Sequence, residues 1–172
     1  MEANNALAHY WLGTVLGVQN RFDDAIESFN ASLRIKPNLT DSRTRLIELH
    51  ELKGDLSEAR VEVEKALFFV EDRDGPEMQS LEEKLNSIED QIEVKTFIDE
   101  ALAQVDKNNI DGAISTFQAL FKIYPNQALA YFNLGNLWAR KNRIDLAETS
   151  FKRAIEIQPE LFRSPSASRS NL

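Results

Sequence analysis

His9, His50 and a few neighbouring carboxylates are the side chains from which a catalytic or metal centre in this chain would have to be built. Neither histidine has a second ligand beside it at metal-like spacing. Asp23-Asp24 and Glu82-Glu83 are adjacent in sequence, and adjacent residues on a helix do not face each other. Neither pair therefore forms an acid–base dyad. The chain holds no glycine-rich phosphate loop, no GxSxG elbow and no HExxH motif. It lacks cysteine, which removes thiol catalysis, Cys-ligated zinc and any disulfide framework. The expectation is a protein that is not an enzyme, with no catalytic, cofactor-binding or metal residue.

Composition narrows the class further. The 172 residues are 42% hydrophobic and 28% charged, as in an ordinary globular protein. No apolar run approaches the ~18 residues of a membrane helix, and MEANNALAHYWLG lacks the basic start of a secretory signal. With no cysteine, the pattern points to a cytoplasmic-type compartment. The net charge of −8 is uneven: residues 1–93 carry 10 basic and 20 acidic side chains, residues 94–172 carry 10 and 8. An acidic first half disfavours nucleic acid and anionic membrane, because phosphates need a basic surface.

The elements that position these side chains repeat. From Ala128 to Pro159, apolar and small residues recur at helical spacing (Leu134, Gly135, Trp138, then Ala147, Phe151, Ala154) around a polar break at Lys141-Asn142-Arg143. That spacing predicts two antiparallel helices, with small residues where they approach. Related units occupy 6–37, 40–71 and 94–125, so the period is 34 residues with one interruption. Asn20, Gly54, Asn108 and Asn142 hold one equivalent turn position, and these types tolerate the left-handed conformation that closes a helix. Asp23, Ser57, Asp111 and Asp145 are read as N-caps of the second helices. Phe22, Leu56, Ile110 and Ile144 are read as apolar plugs of the turn, and Ala25, Ala59, Ala113 and Ala147 as close-approach points. The second copy has Ile47 where others have Gly13 or Gly135, and Val63 where others have Phe29, Phe117 or Phe151. This exchange of volume keeps the core at constant density.

The interruption, 72–93, opens with the turn signal Asp72-Arg73-Asp74-Gly75-Pro76. Met78, Leu81, Leu85, Ile88 and Ile92 then follow as an apolar stripe running unbroken into the third copy. One long helix from about Glu77 to Asp106 is expected, with a separate helix ending near Glu93 as the alternative. The Ser/Pro-rich residues 161–172 are expected to be disordered.

The unit resembles the tetratricopeptide repeat. Leu134-Gly135, Ala147, Phe151, Ala154 and Pro159 fall where that family carries Leu-Gly, Ala, Phe, Ala and Pro. The resemblance implies an all-α solenoid of helix-turn-helix pairs, two before and two after the long helix, arranged as 1–71, 72–93 and 94–160. It places His9 and His50 towards the repeat cores. It also implies a concave face, lined by the first helices, that binds a partner peptide or helix. The matching positions are Tyr10, Thr14, Asp41, Thr44, Glu48 and Glu51 in the first two copies. In the last two they are Lys95, Ile98, Leu102, Val105, Phe132, Asn136 and Ala139. Such a groove is acidic in its first half and apolar in its second. Ile98, Leu102 and Phe132 then form a partner-binding patch, unless residues 77–93 or Leu161-Phe162 fill it. The family's carboxylate clamp for chaperone tails is not assembled, since Tyr10, Thr14, Thr44, Arg45 and Glu48 stand where Lys and Asn are needed.

The resulting expectation is a non-enzymatic scaffold or adaptor for protein partners. The alternative is a fragment or self-associating segment of a longer repeat assembly. Trp11, an end aromatic with no preceding repeat to cover it, is the candidate end contact for that second reading.

Overall fold

A computed structural model describes residues 2–162, and the expected disordered residues 163–172 lie outside it. The described residues form α1 (Glu2–Val18), α2 (Phe22–Ile35), α3 (Thr40–Lys53), α4 (Leu56–Phe69), α5 (Pro76–Asp106), α6 (Ile110–Ile123), α7 (Ala128–Arg140) and α8 (Ile144–Ile157). A short 3-10 helix, Pro159–Phe162, follows. There is no strand among them. The fold is all-α, built from helix-turn-helix pairs, and α5 is the single long helix that the unbroken stripe predicts. Pro76 opens it, at the position where a missing N–H breaks no helical bond. The described residues divide into two compact units, with the boundary between Ile92 and Glu93.

Four turns share one hydrogen-bond pattern. Asn20, Asn108 and Asn142 have φ of 59°, 59° and 57°, and Gly54 has 79°. The next amide donates back five residues: Arg21 to Leu16 (3.0 Å), Asp55 to His50 (2.9 Å), Asn109 to Gln104 (2.8 Å) and Arg143 to Trp138 (2.9 Å). The left-handed residue donates to the carbonyl three before it in each case. This paired closure satisfies the orphan carbonyls of each first helix and explains the asparagines. Replacing Asn142 by valine is expected to cost about 1–2 kcal/mol, while Asn142→Gly should be near neutral. Thermal unfolding followed by circular dichroism would show the contrast.

The N-caps differ from the sequence reading. They are Arg21, Asp55, Asn109 and Arg143, two residues before Asp23, Ser57, Asp111 and Asp145. Only one residue fits between the left-handed position and the helix start, so the predicted caps lie inside the first turn. Asn109 alone of the four makes a side-chain cap, accepting from the Gly112 amide at 3.1 Å. Asp23 and Asp111 instead take a lysine from the next copy's turn. Lys53 donates to Asp23 at 2.7 Å, and Lys141 pairs with Asp111 thirty residues on in the same register. In the described residues, Ile144 is exposed and plugs nothing. Phe22 stands beside Leu49 and Leu52 of the following helix, whereas among the described residues α8 is followed by the short 3-10 helix alone.

In the first unit, α1 packs on α2, α2 on α3 and α3 on α4. Ala25, Phe29 and Leu46 are buried in one cluster, Ile47, Ala59, Val63 and Ile88 in another. The stripe Leu81, Leu85 and Ile92 packs against that second cluster. The volume exchange is visible here: a Cβ on Gly13 would lie 2.8 Å from the Phe29 ring, whereas Ile47 and Val63 are both buried without a ring. Two polar contacts complete the interior. Ser32 and Ser42 share a buried hydrogen bond of 2.6 Å between α2 and α3. Arg43 on α3 meets Glu62 on α4 at 2.8 Å, with both side chains buried. In the second unit, Ala101, Ala113, Phe117, Leu120, Leu134 and Leu137 form the core, and Phe97, Ile98 and Val105 pack against it.

Candidate functional site

In the first unit the first helices α1 and α3 flank a largely apolar trough of about 370 Å³. Gly13, Gly17 and Val18 form one wall and Leu49 and Leu52 the other, with the edge of Phe29 within reach. Gly17 helps keep it open, since a Cβ there would meet nothing within 4 Å, whereas a Cβ on Gly13 would meet the Phe29 ring. Arg45 and Glu48 stand on the trough as an exposed pair at 2.8 Å, three residues apart on α3. Glu48, and to a smaller extent Tyr10, hold the Arg45 guanidinium above its already high ordinary value. Arg45 is charged at any working pH.

The predicted groove residues distribute as follows. Thr14 and Glu48 line this trough, and Tyr10 stands beside Arg45 while its ring leans on Phe29 at 5.9 Å. The Thr14 hydroxyl donates to the Tyr10 carbonyl at 3.0 Å, which ties it to its own helix. Thr44 is exposed. Arg45, Leu49 and Leu52 were not among the predicted groove residues. The spacing of Arg45 to Glu48, three residues along one helix, was the signal available for the first.

In the second unit, Lys95 and Asn136 are exposed on α5 and α7. Ile98 packs against the core, while Leu102 on the same helix keeps a large part of its surface in solvent. Phe132 is half-buried, tilted against Phe151 at 5.6 Å. Leu81, Leu85 and Ile92 of the 77–93 stripe pack against the cluster of Ile47 and Val63, and Leu161 is exposed. Trp11 lies 61% exposed on α1, edge-on to Tyr10 at 5.0 Å.

His9 and His50 are both half-buried beside the first-unit core. The nearest carboxylate to His50 Nδ1 is Asp55, at 3.8 Å. Among the described residues no three His, Cys, Asp or Glu side chains gather as a metal site would require. No helix among them is long and apolar enough to cross a membrane.

Helix pairs with a left-handed turn, a buried alanine and a Gly–Phe or Ile–Val approach define a helical repeat protein. The tetratricopeptide-repeat family model matches residues 6–39 and 98–161, and the chain belongs to that family. A Dictyostelium discoideum protein described as a DnaJ homolog subfamily C member 7 homolog is 24% identical over 159 residues. The match takes in 92% of this chain but 29% of that protein, so this chain spans under a third of its relative. Among solved structures, the tetratricopeptide domain of P58(IPK) aligns with 91% of this chain and 42% of its own, at 18% identity and a TM-score of 0.49. YrrB, described as a TPR protein with an unusual peptide-binding site, aligns over 90% and 87% at 20% identity and 0.42. MamA aligns over 98% and 97% at 18% identity and 0.44. The family is one of protein-interaction scaffolds.

Proposed function

We propose that this chain is a non-enzymatic scaffold that binds a peptide or helix of a partner protein on its first-helix faces. The observation that carries the proposal is the open apolar trough between α1 and α3, with the exposed Arg45–Glu48 pair on it. An apolar side chain of the partner fills the trough, and its flanking polar groups meet the charged pair. Small sites of this kind draw affinity from an apolar anchor and orientation from a few placed polar groups. In the second unit the partner-facing surface is Leu102 with Ile98, Phe132, Lys95 and Asn136. The acidic first half fits a protein partner and opposes nucleic acid. A chain without cysteine suits a reducing, cytoplasmic setting.

Leu52 and Leu102 are exposed, so charging them leaves the fold in place. A random peptide library displayed on phage and selected on the full chain should yield binders with an apolar anchor. Leu52→Asp or Leu102→Asp should weaken the selected peptides at least tenfold with helicity unchanged. Binders indifferent to both substitutions, or no enriched binder at all, would overturn the proposal.

A further inference from the structure

At 100° per residue, Leu7, Trp11, Thr14 and Val18 share an arc of about 60° on α1. A shift of 34 residues carries them onto Asp41, Arg45, Glu48 and Leu52 of α3. Thr14, Val18, Arg45, Glu48 and Leu52 line the trough. Leu7, Trp11 and Asp41 continue the same two faces towards the helix N-termini. Tyr10 ties this extension to the trough, since it stands beside Arg45 and lies 5.0 Å from the Trp11 ring.

The equivalent arc stays open on a helix that has neighbours on both sides. Across the trough α3 faces α1. On its other flank Ile47 is buried with Ile88 of α5, and Lys84 of α5 reaches Glu51 at 3.2 Å. Asp41, Arg45, Glu48 and Leu52 are nonetheless all exposed. Trp11, 61% exposed, therefore belongs to the inner face with Val18. A helix beside α1 would leave it open, as α1 and α5 leave Arg45 open.

With the trough as the binding site, on which this rests, we infer that its ligand is a basic peptide segment. An apolar side chain of that segment enters the trough, and lysine or arginine beside it meets Trp11 and Asp41. Several observations select positive charge. Residues 1–93 carry 20 acidic and 10 basic side chains. The cations around the trough are already committed: Arg45 to Glu48 at 2.8 Å, Lys53 to Asp23 at 2.7 Å and to Asp55 at 3.3 Å, and Lys84 to Glu51. Asp41 is exposed and has no ion partner among the described residues. The trough runs along the last turns of α1 and α3, where helix dipoles end negative, and α1 has no basic residue in that turn. Tryptophan is the side chain whose ring attracts a cation most strongly. An acidic segment would meet the same field with every nearby cation already paired.

Peptides selected from a displayed random library on the full chain, and weakened by Leu52→Asp, are the probe. They should carry more lysine and arginine than aspartate and glutamate. Replacing those cations by glutamine, with the apolar anchor kept, should weaken binding by about tenfold or more at low salt. The difference should shrink at about 0.5 M salt. Trp11→Ser and Asp41→Lys, both at exposed positions, should each weaken the peptides by about fivefold or more with helicity unchanged. Leu12→Ser, which lies off the arc, should not. Leu52-dependent peptides that are neutral or acidic on balance, or that ignore both Trp11→Ser and Asp41→Lys, would overturn the basic ligand and leave the trough as the binding site. If no selected peptide depends on Leu52, the trough and its basic ligand fall together.

Discussion

Glu62→Ala is expected to destabilise the first unit by about 3–5 kcal/mol, because it leaves the Arg43 guanidinium buried without its counter-charge. Arg43 donates to Glu62 at 2.8 Å and to the Pro37 carbonyl at 2.7 Å, and lies 5.3 Å from the Phe69 ring centroid. Lys65 reaches the other Glu62 oxygen at 2.6 Å from the surface. Removing Glu62 keeps the carbonyl and the ring but takes away the carboxylate that pairs with this buried arginine. The apolar replacement Arg43→Met with Glu62→Leu should recover most of the loss, since the cost lies in an unpaired charge and not in a missing contact. Urea unfolding by circular dichroism reads both. A single-variant shift no larger than an exposed ion pair gives, ~0.5 kcal/mol, would show that water reaches Arg43.

The second large effect concerns the approach of α1 and α2. Gly13→Ile drives a branched side chain into a position where even a Cβ lies 2.8 Å from the Phe29 ring, and Phe29 is buried. Overpacking of this kind costs about 1–3 kcal/mol or more. Phe29→Val alone empties a ring's volume from the core, for about 2–4 kcal/mol. The double variant reproduces Ile47 and Val63, the pair that α3 and α4 use at the same positions. It should therefore be far less destabilised than the sum of the singles, with a coupling above ~1.5 kcal/mol. Additive losses would mean that the exchange in the second copy depends on its other neighbours.

Periodic features were the ones the sequence made legible. The left-handed turn, the buried alanines, the Gly–Phe approach and the length of α5 each follow from residue type at a repeated spacing. The caps were misplaced because an aspartate in the first turn and an aspartate at the cap look alike in sequence. Asp23 and Asp111 owe their place to lysines of the next copy instead. The Arg43–Glu62 pair was invisible because charged residues default to the surface, and nothing local ties residues nineteen apart. Of the candidate site, Thr14 and Glu48 could be placed from the repeat register. Leu49 and Leu52 could not be singled out, since whether a leucine lines a trough or fills a core depends on the glycines of the facing helix.

Peptide binding in the α1–α3 trough is tested by mapping amide shifts as a selected peptide is added to isotopically labelled chain. The largest changes should fall on Gly13 to Val18 and Arg45 to Leu52, and around Leu102, and Leu52→Asp should abolish the first set. Shifts concentrated on the second helices, at Val61, Phe68 or Ile155, would place binding on the opposite side of the repeats and contradict it.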